Sequence, residues 1–435
     1  MYEFGNFRLS GKTIVNVVFF YTIIMETLIS QFGFPDFIRY LNDFFILLLI
    51  PLIFKGKIGD YFRSQHNWPV IVCIVLYLFI SLFTSFIYFV SPLLVAWALR
   101  NTFRGIIFFL ACALFIKKED LPHLFNILLF IQIISLVLAI YQFAILHHTQ
   151  DFIGGIFGYG NGAAVNIFNA LLMAYFLVCY IKKRDGIFKL ALALISSLVV
   201  AALAEEKATY FFALIVIVSS VIFTGFSFRK IIALFIAIVA IVIGLILLGT
   251  YYPDMLDNLI DIDSILNYAT VTYDEGYRLP RLGSFFVIND LFFNNDVLSN
   301  LFGIGFGNSE TSSFSFLQSN FYNRYGDYNY RWFTHQWIFI EEGYIGFIAF
   351  LSIFVAMLIC LLKNKNQDQD NYYKIVAIGT VLCCIASIWY NATLKVDMQY
   401  LAYFSMAIGF VGSKKDSSAF CKNVSFSNRM VKQGA

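Results

Sequence analysis

The residues of this sequence that could do chemistry cluster where a long polar stretch gives way to an apolar run, in RWFTHQWIFIEEGYIGF at positions 331–347. His335 comes first, and Glu341 and Glu342 follow about two helical turns later. A histidine with a nearby carboxylate is the arrangement that a general base requires. Carboxylates inside an apolar run are protonated, paired with a cation, or exposed to a wet cavity. The spacing therefore predicts a candidate base at the start of this run.

Cationic residues in the preceding polar stretch could bind an anion. GYRLPRLGSF places Arg278 and Arg281 three residues apart. Two guanidinium groups at this spacing can hold a phosphate or a carboxylate through paired hydrogen bonds. Arg324 and Arg331 add positive charge to the same stretch. The partner is either such an anionic ligand or one of the nearby acids, namely Asp274, Glu275 and Asp290.

Two further groups of charges lie close to apolar runs. In ALRNTFRG, Arg100 and Arg104 are one helical turn apart on the same face of an apolar segment. Charges inside such a segment extend to the membrane surface, form ion pairs or contact a ligand, and the first two are favoured over ligand contact. In AEEKATY, Glu205, Glu206 and Lys207 form a tight turn between two apolar runs, as a solvated cap or as part of a site. For Arg100 and Arg104, the expected ion-pair partners are Glu26 and Asp43.

The composition indicates which elements must position these groups. Of the 435 residues, 60% are hydrophobic and 13% are charged, and several runs reach the ~20 residues that span a bilayer as a helix. Continuous apolar runs favour helices over the alternating strands of a membrane barrel. The sequence therefore predicts an all-α bundle of transmembrane helices in one integral membrane domain, residues 1–412, and excludes a soluble protein. Twelve spans are predicted, near residues 14–31, 37–54, 69–90, 94–116, 122–146, 163–181, 187–204, 208–225, 231–250, 336–362, 374–391 and 396–412.

The charges of the loops predict the orientation of these spans. Lys and Arg concentrate in the two tails and in every second loop, for example at 55–63 and 182–184. Because such segments stay on the cytoplasmic side, both termini are predicted to be cytoplasmic, including the tail at 413–435. Residues 251–334, between spans nine and ten, then form one long loop on the outer face. The net charge of +3 reflects this topology and gives no argument for nucleic-acid binding.

The long loop mixes aromatic residues with Asn, Asp and Gly. This mixture suits carbohydrate, because sugar rings present apolar faces to aromatic planes and hydroxyl groups to polar side chains. The alternative is that the aromatic residues lie in the interfacial belt of the membrane. Six of the seven cysteines lie within or beside predicted spans, which indicates neither a disulfide nor a zinc site. DID at 261–263 is too short a match to predict a cation site, so neither a metal nor a cofactor is expected.

The order of these features resembles the superfamily of O-antigen polymerases and O-antigen ligases, which are bacterial polytopic membrane glycosyltransferases. The resemblance rests on the twelve spans, the long outer loop with its paired arginines, and His335 followed by Glu341, Gly343 and Gly346. GGIFGYGNGAAV at 154–165 and AEEKATYFFAL are similar to two further segments of that family. Three features depart from its pattern: the short spacing from the histidine to Glu341, Gln336 in place of Asn, and Lys207 in place of Arg. These departures favour the polymerases over the ligases.

The resemblance implies a polymerase that joins undecaprenyl-pyrophosphate-linked oligosaccharide repeat units into O-antigen or a related surface polysaccharide. The reaction would take place on the periplasmic face of the inner membrane. His335, with Glu205 or Glu206, would take the proton of the acceptor hydroxyl. Cationic groups would neutralise the leaving pyrophosphate, with candidates at Arg278, Arg281, Lys207, Arg100 and Arg104. The implied partners are lipid-linked substrates, membrane lipids and a chain-length regulator protein.

Other functions are compatible with the same features. They are an O-antigen ligase, a flippase or transporter of the same lipid-linked units, and a structural or sensory membrane protein. A transporter would more naturally show two similar halves and short loops on both faces, which this sequence lacks. A cavity under the loop at 251–334, lined by Arg278, Arg281 and His335, would favour the enzyme. A cavity that opens alternately through the middle of the spans would favour transport.

Overall fold

Long apolar helices make up most of the chain, as the uninterrupted apolar runs predict. They are seen in a computed structural model that describes residues 2–4, 7–253, 263, 270, 279–363 and 372–412. A short antiparallel pair of strands, β1 (Tyr2–Phe4) and β2 (Phe7–Leu9), precedes the first helix. The helices are α1 (Gly11–Ser30), α2 (Leu41–Lys55), α3 (Ile58–Ser64), α4 (Trp68–Ile87), α5 (Pro92–Phe115), α6 (Leu121–Ala144), α7 (Gly162–Ile181), α8 (Ile187–Leu203), α9 (Lys207–Phe223), α10 (Phe228–Tyr251), α11 (Ser284–Leu291), α12 (Val297–Phe302), α13 (Asn320–Tyr325), α14 (Thr334–Lys363), α15 (Tyr372–Tyr390) and α16 (Gln399–Ala407).

Nine helical stretches in the described part of the chain are long and apolar enough to cross a membrane. They correspond to α1, α2, α4, α5, α6, α7, α10, α14 and α15. Helices α8 and α9 are apolar but have only 17 residues each. Helix α16 has nine residues and continues as a 3-10 turn at Ile408–Phe410. The structure thus confirms a membrane-type helical architecture, whereas the predicted number of twelve spans and their orientation stay predictions.

Helix α7 lies at the centre of the bundle. It is buried along its full apolar stretch, and it packs against α8, α9 and α15. Its sequence, GAAVNIFNALLMAYFLVCYI, is apolar on all sides, as expected for a helix without a lipid-facing surface. Helix α10, by contrast, packs mainly on α8, and six of its large aliphatic side chains are exposed. The first turn of α7 is therefore held rigidly, which matters because it lines the cavity described below.

Helix α14 is broken at Gly343, the first glycine of the predicted motif. Gly343 has φ 62° and ψ −160°, a conformation essentially restricted to glycine. The break leaves two carbonyl groups of α14 free to accept hydrogen bonds from the segment after α12: Ile304 N donates to Ile340 O at 2.9 Å, and Gly305 N donates to Glu341 O at 3.0 Å. A Cβ atom on Gly343 would lie 2.5 Å from a backbone carbon of α12. The glycine therefore permits a close approach between α12 and α14.

The described part of the long loop, residues 279–333, folds against the first half of α14. Its short helices α11 and α13 contribute to a second apolar cluster, which is distinct from the main core of the bundle. Tyr330, Trp337 and Phe339 are fully buried members of this cluster. The covering loop explains why the first turns of α14 are buried on every side. Arg278, Asp274, Glu275 and the tail at 413–435 lie outside the described residues.

Candidate functional site

Four segments that are far apart in the sequence meet around a cavity of about 640 Å³. They are residues 160–166 at the start of α7, the α8–α9 turn at 204–207, the loop residues 279–281 and 328–333, and the α15–α16 turn at 390–398. The cavity thus brings together residues from two of the predicted site segments, the AEEK turn and Arg281 with its neighbour Leu279. It also includes the glycine and asparagine segment that begins α7.

Three cationic side chains line this cavity: Lys207, Arg281 and Arg331. The guanidinium group of Arg281 lies over the rings of Phe333 and Tyr390, with its central carbon 5.1 and 4.8 Å from the ring centroids. Stacking on an aromatic face restrains the plane of a guanidinium group and leaves its N–H edge available for hydrogen bonds. Arg281 is therefore oriented as expected for a group that binds an oxyanion.

Arg331 is held in a similar way, although the sequence singled it out only as added positive charge. Its guanidinium carbon lies 4.4 Å from the centroid of the Trp337 ring and 5.6 Å from that of Tyr322. Both aromatic residues belong to the second apolar cluster or pack against it. The second apolar cluster thus fixes the position of a second arginine in the cavity wall.

Two carboxylates, Glu205 and Glu206, line the cavity beside these cations. Glu206 is buried, and its Oε2 accepts a hydrogen bond of 2.6 Å from Nδ2 of Asn166. Glu205 has φ 57°, and its Oε1 lies 3.9 Å from Nζ of Lys207. A Cβ atom on Gly162 would overlap Glu206 Oε1, so a larger residue there would displace this carboxylate. The glycine at the start of α7 thus makes room for a carboxylate in the cavity wall.

His335 does not line the cavity, although the sequence predicted it as the base. It is 1% exposed, and Nδ1 lies 3.0 Å from the carbonyl oxygen of Ile388. Nε2 lies 3.0 Å from the Arg281 carbonyl oxygen and 3.0 Å from Ser284 Oγ. A general base must reach the proton that it removes, and both ring nitrogens of His335 already contact protein groups. This position suits a residue that fixes the backbone of Arg281.

Thr334 and Gln336, on either side of His335, also hydrogen-bond to backbone carbonyl groups of segments that form the cavity wall. Gln336 Nε2 donates to the carbonyl oxygen of Pro280 at 2.8 Å. The backbone N and Oγ1 of Thr334 donate to the carbonyl oxygen of Asn391 at 3.1 and 2.9 Å. Three consecutive residues at the start of α14 therefore hold two segments of the cavity wall. The glutamine that departs from the family pattern has a defined structural role here.

Arg100 and Arg104 form the ion pairs that were favoured from the sequence. Nη2 of Arg100 lies 2.6 Å from Asp43, and Nη1 of Arg104 lies 2.6 Å from Asp397 and 3.4 Å from Asp43. The other expected partner, Glu26, pairs with Arg39 instead. Burial raises the pKa of Asp397, but Arg104 and Arg100 outweigh burial and hold this pKa below its ordinary value. The two arginines do not line the cavity.

The sequence analysis missed a buried ionic triad formed by Lys395, Glu341 and Glu310. All three side chains are fully buried, and Lys395 Nζ lies 2.9 Å from Glu341 Oε2 and 3.7 Å from Glu310 Oε1. Gly307 N donates to Glu341 Oε1 at 3.1 Å, and Asn101 Nδ2 donates to Glu310 Oε2 at 2.7 Å. Burial and the neighbouring Glu341 raise the pKa of Glu310. The signal was available, because Lys395 is the one cation in the short segment at 391–397.

The second glutamate of the predicted motif has a different partner. Glu342 is fully buried and accepts hydrogen bonds from Tyr77 OH at 3.0 Å and from Ser81 Oγ at 3.2 Å. Both donors lie on α4, so Glu342 joins α14 to α4. Gly346, one turn later on α14, leaves room for the Glu342 side chain. Glu341 is therefore paired with a cation, one of the predicted alternatives, whereas Glu342 is bound by hydroxyl groups, which the prediction did not include.

The cavity combines groups that bind anions with groups that bind hydroxyls and accept protons. Its cations suit a phosphate or carboxylate, and its asparagine side chains suit sugar hydroxyls. No cluster of three or more His, Cys, Asp or Glu side chains that could hold a metal ion occurs among the residues that the structure describes.

Neither the known protein families nor the functionally characterised proteins include one that matches this sequence. The function is therefore inferred from the cavity and from the residues that line it.

Proposed function

We propose that the protein is a glycosyltransferase that joins oligosaccharide units carried on a lipid pyrophosphate, as in the polymerisation of O-antigen or a related surface polysaccharide. The observation that carries this proposal is that Lys207 and Arg281 line the same cavity as Glu205 and Glu206. A lipid-pyrophosphate donor requires cations at its leaving group, and a sugar acceptor requires a proton acceptor. The same cavity provides both.

In the proposed reaction, the acceptor hydroxyl attacks the anomeric carbon of the donor sugar. The bond between that carbon and the pyrophosphate oxygen breaks, and its electron pair stays with the pyrophosphate. Arg281 and Lys207 neutralise the growing negative charge, a role in which preorganised donors are most effective. Glu205 or Glu206 takes the hydroxyl proton. No nucleotide sugar, cofactor or metal enters this scheme.

His335 acts in this proposal as a positioning residue and not as the base. Its ring contacts the carbonyl oxygen of Arg281 and is buried away from the cavity. The residues predicted to act with His335 in this role, Glu205 and Glu206, both line the cavity. Because the proton acceptor must lie within hydrogen-bond reach of the substrate, we assign this role to one of the two glutamates.

The lining also supports the proposed topology of twelve spans. The lining segments are 160–166, 204–207, 279–281, 328–333 and 390–398, and each lies in or next to a loop predicted to face outward. The described residues of the cation-rich loops predicted to be cytoplasmic contribute no lining residue. Because the cavity is built from loops and helix ends, and not from the middle of the spans, it favours an enzyme over a transporter with alternating access.

The test is an assay with purified protein in lipid nanodiscs and a lipid-pyrophosphate-linked oligosaccharide. Wild-type protein is expected to produce a ladder of multimers and to release lipid pyrophosphate. Arg281→Ala is expected to lower the rate by about 100-fold, since removal of one preorganised donor typically costs this much. Arg324→Ala is the matched control, because Arg324 belongs to the same loop but does not line this cavity.

Two outcomes would contradict the proposal. Absence of both multimers and pyrophosphate release with all lipid-linked substrates tested would remove the glycosyltransferase assignment. A ladder of equal yield from Arg281→Ala would remove the assigned role of the cavity. Transfer of the glycan to a lipid A core, without formation of multimers, would identify a ligase instead.

A further inference from the structure

The α11–α12 segment, residues 284–302 of the long loop, exposes large apolar side chains that no other part of the described structure covers. Phe286 is 78% exposed, Val297 is 69% exposed and Leu298 is 62% exposed. Exposed apolar side chains that are close together mark an interaction surface. The segment follows Arg281 by only three residues, so whatever covers it also restrains the cavity wall.

The position of α12 along α14 gives its depth in the membrane. Helix α12 contacts α14 at Gly343, where the two backbones approach closely. From Gly343 to the cationic end of α14 at Lys363 there are 20 residues, which correspond to about 30 Å at 1.5 Å per residue. This length equals the hydrocarbon thickness of a typical bilayer. If Lys363 lies at one surface of the membrane, α12 therefore lies at the opposite boundary.

Helix α4 gives an independent estimate of the same depth. It has 20 residues, which again corresponds to about 30 Å. Phe83, near the end of α4, contacts Phe302 of α12 with a ring-centroid distance of 6.0 Å, and it stacks on Phe79. Phe79 and Phe86 are largely exposed on the outside of α4. The exposed face of α12 therefore continues the lipid-facing surface of α4.

We propose that the α11–α12 segment inserts its apolar side chains into the outer boundary of the bilayer, so that membrane lipid covers this surface. The polar turn between the two helices fits the same placement. There Asn289 donates to Asn295, and Asp296 caps α12 by accepting from Ser299 N at 2.8 Å. Irregular backbone is not tolerated against the hydrocarbon core, so the segment lies at the interface and does not cross the membrane.

The chemistry of the segment also indicates which lipid groups it contacts. Residues 284–302 contain no Lys or Arg and two Asp. Electrostatic attraction to anionic headgroups therefore does not contribute, and insertion depends on apolar burial at the boundary between headgroups and acyl chains. This placement does not depend on the enzymatic assignment, and it would hold the backbone next to Arg281 at the level of lipid phosphates.

The test uses spin labels on single cysteines at Phe286, Leu298, Asn295 and Asn323 in protein reconstituted into zwitterionic vesicles. Cys73, which is half-buried, and Cys421 are replaced by serine, and unlabelled protein serves as background. Power saturation then compares the accessibility of each label to oxygen, which concentrates in the membrane, and to a water-soluble nickel chelate. Labels at Phe286 and Leu298 are expected to show a several-fold higher ratio of oxygen to chelate accessibility than the labels at Asn295 and Asn323.

Equal chelate accessibility at all four positions would overturn the proposal, because it would place the segment in water. Protection of Phe286 and Leu298 from both reagents would also overturn it, because a second copy of the chain would then cover the surface. These outcomes are independent of catalytic activity. They can therefore be told apart from failure of the glycosyltransferase assignment.

Discussion

Replacing Lys395 with methionine is expected to destabilise the protein strongly. The ammonium group is fully buried, 2.9 Å from Glu341 and 3.7 Å from Glu310, both of which are fully buried too. The substitution leaves two buried carboxylates without the ammonium group that lies between them. Removing one partner of a buried ion pair typically costs about 3–5 kcal/mol. Methionine has a similar length, so this cost reflects the lost charge more than a new cavity.

The free energy of unfolding is measured by reversible denaturation in mixed micelles. Lys363→Met is the matched control, because Lys363 is exposed at the end of α14 and the same side-chain change is made there. Adding Glu341→Gln to Lys395→Met should restore part of the loss, since one buried negative charge disappears. The reasoning would be refuted if Lys395→Met were as stable as Lys363→Met, or if the second substitution caused a further loss of the same size.

Three further predictions follow from individual residues. Gly343→Ala should lower the free energy of unfolding by about 1–3 kcal/mol because of its backbone conformation, whereas Gly186→Ala, with open space around it, should have little effect when both are measured by denaturation. The pKa of Asp397 is lowered in the folded protein, so its charge stabilises the fold at pH values above 3.8, its ordinary pKa, and this stabilisation is lost as the pH falls through the folded-state pKa. Asp397→Asn should therefore be less stable than wild type at neutral pH, and its thermal stability should fall less on acidification. His335→Gln should lower the turnover rate but leave the pH of half-maximal activity unchanged, because a positioning residue does not titrate in the reaction, whereas a shifted pH profile would identify His335 as the base.

The sequence was sufficient to predict most of the helices. The apolar stretch predicted at 163–181 forms the helix Gly162–Ile181, and the one predicted at 336–362 forms the helix Thr334–Lys363. Both follow from uninterrupted apolar runs that end at charged or polar residues. The last span, predicted at 396–412, instead contains the nine-residue helix Gln399–Ala407, since its first residues form part of the cavity wall. Apolar composition alone does not distinguish a residue that faces lipid from one that lines a polar site.

The site could be predicted only in part, for a similar reason. Glu205, Glu206, Lys207 and Arg281 were selected by charge and position, and all four line one cavity. His335 was placed at the mouth of a site because it begins an apolar run. The loop folds over this part of α14 and buries it, and such a long-range contact leaves no trace in the local pattern.

The buried ionic triad was missed for the same physical reason. Lys395 is separated from Glu341 and Glu310 by 54 and 85 residues, so no periodicity or short motif connects them. Residue type gave a partial signal, since a carboxylate in an apolar run requires a cation, a proton or water. The sequence does not show which cation pairs with Glu341 and Glu310.

Polar contacts with defined partners are concentrated in the first half of α14. Apolar packing is non-directional and favours burial without fixing which residues meet, whereas ion pairs and charged hydrogen bonds require particular atoms at particular distances. The cavity wall joins loops that are distant in sequence, and two of them are tied to α14 by contacts with defined partners: Arg281 hydrogen-bonds to His335, Asn391 hydrogen-bonds to Thr334, and Lys395 pairs with Glu341. A wall held only by apolar contacts could shift by a fraction of a turn at little cost. These contacts instead fix the backbone of Arg281 and of the α15–α16 turn, and with it the place of one of the cations that line the cavity.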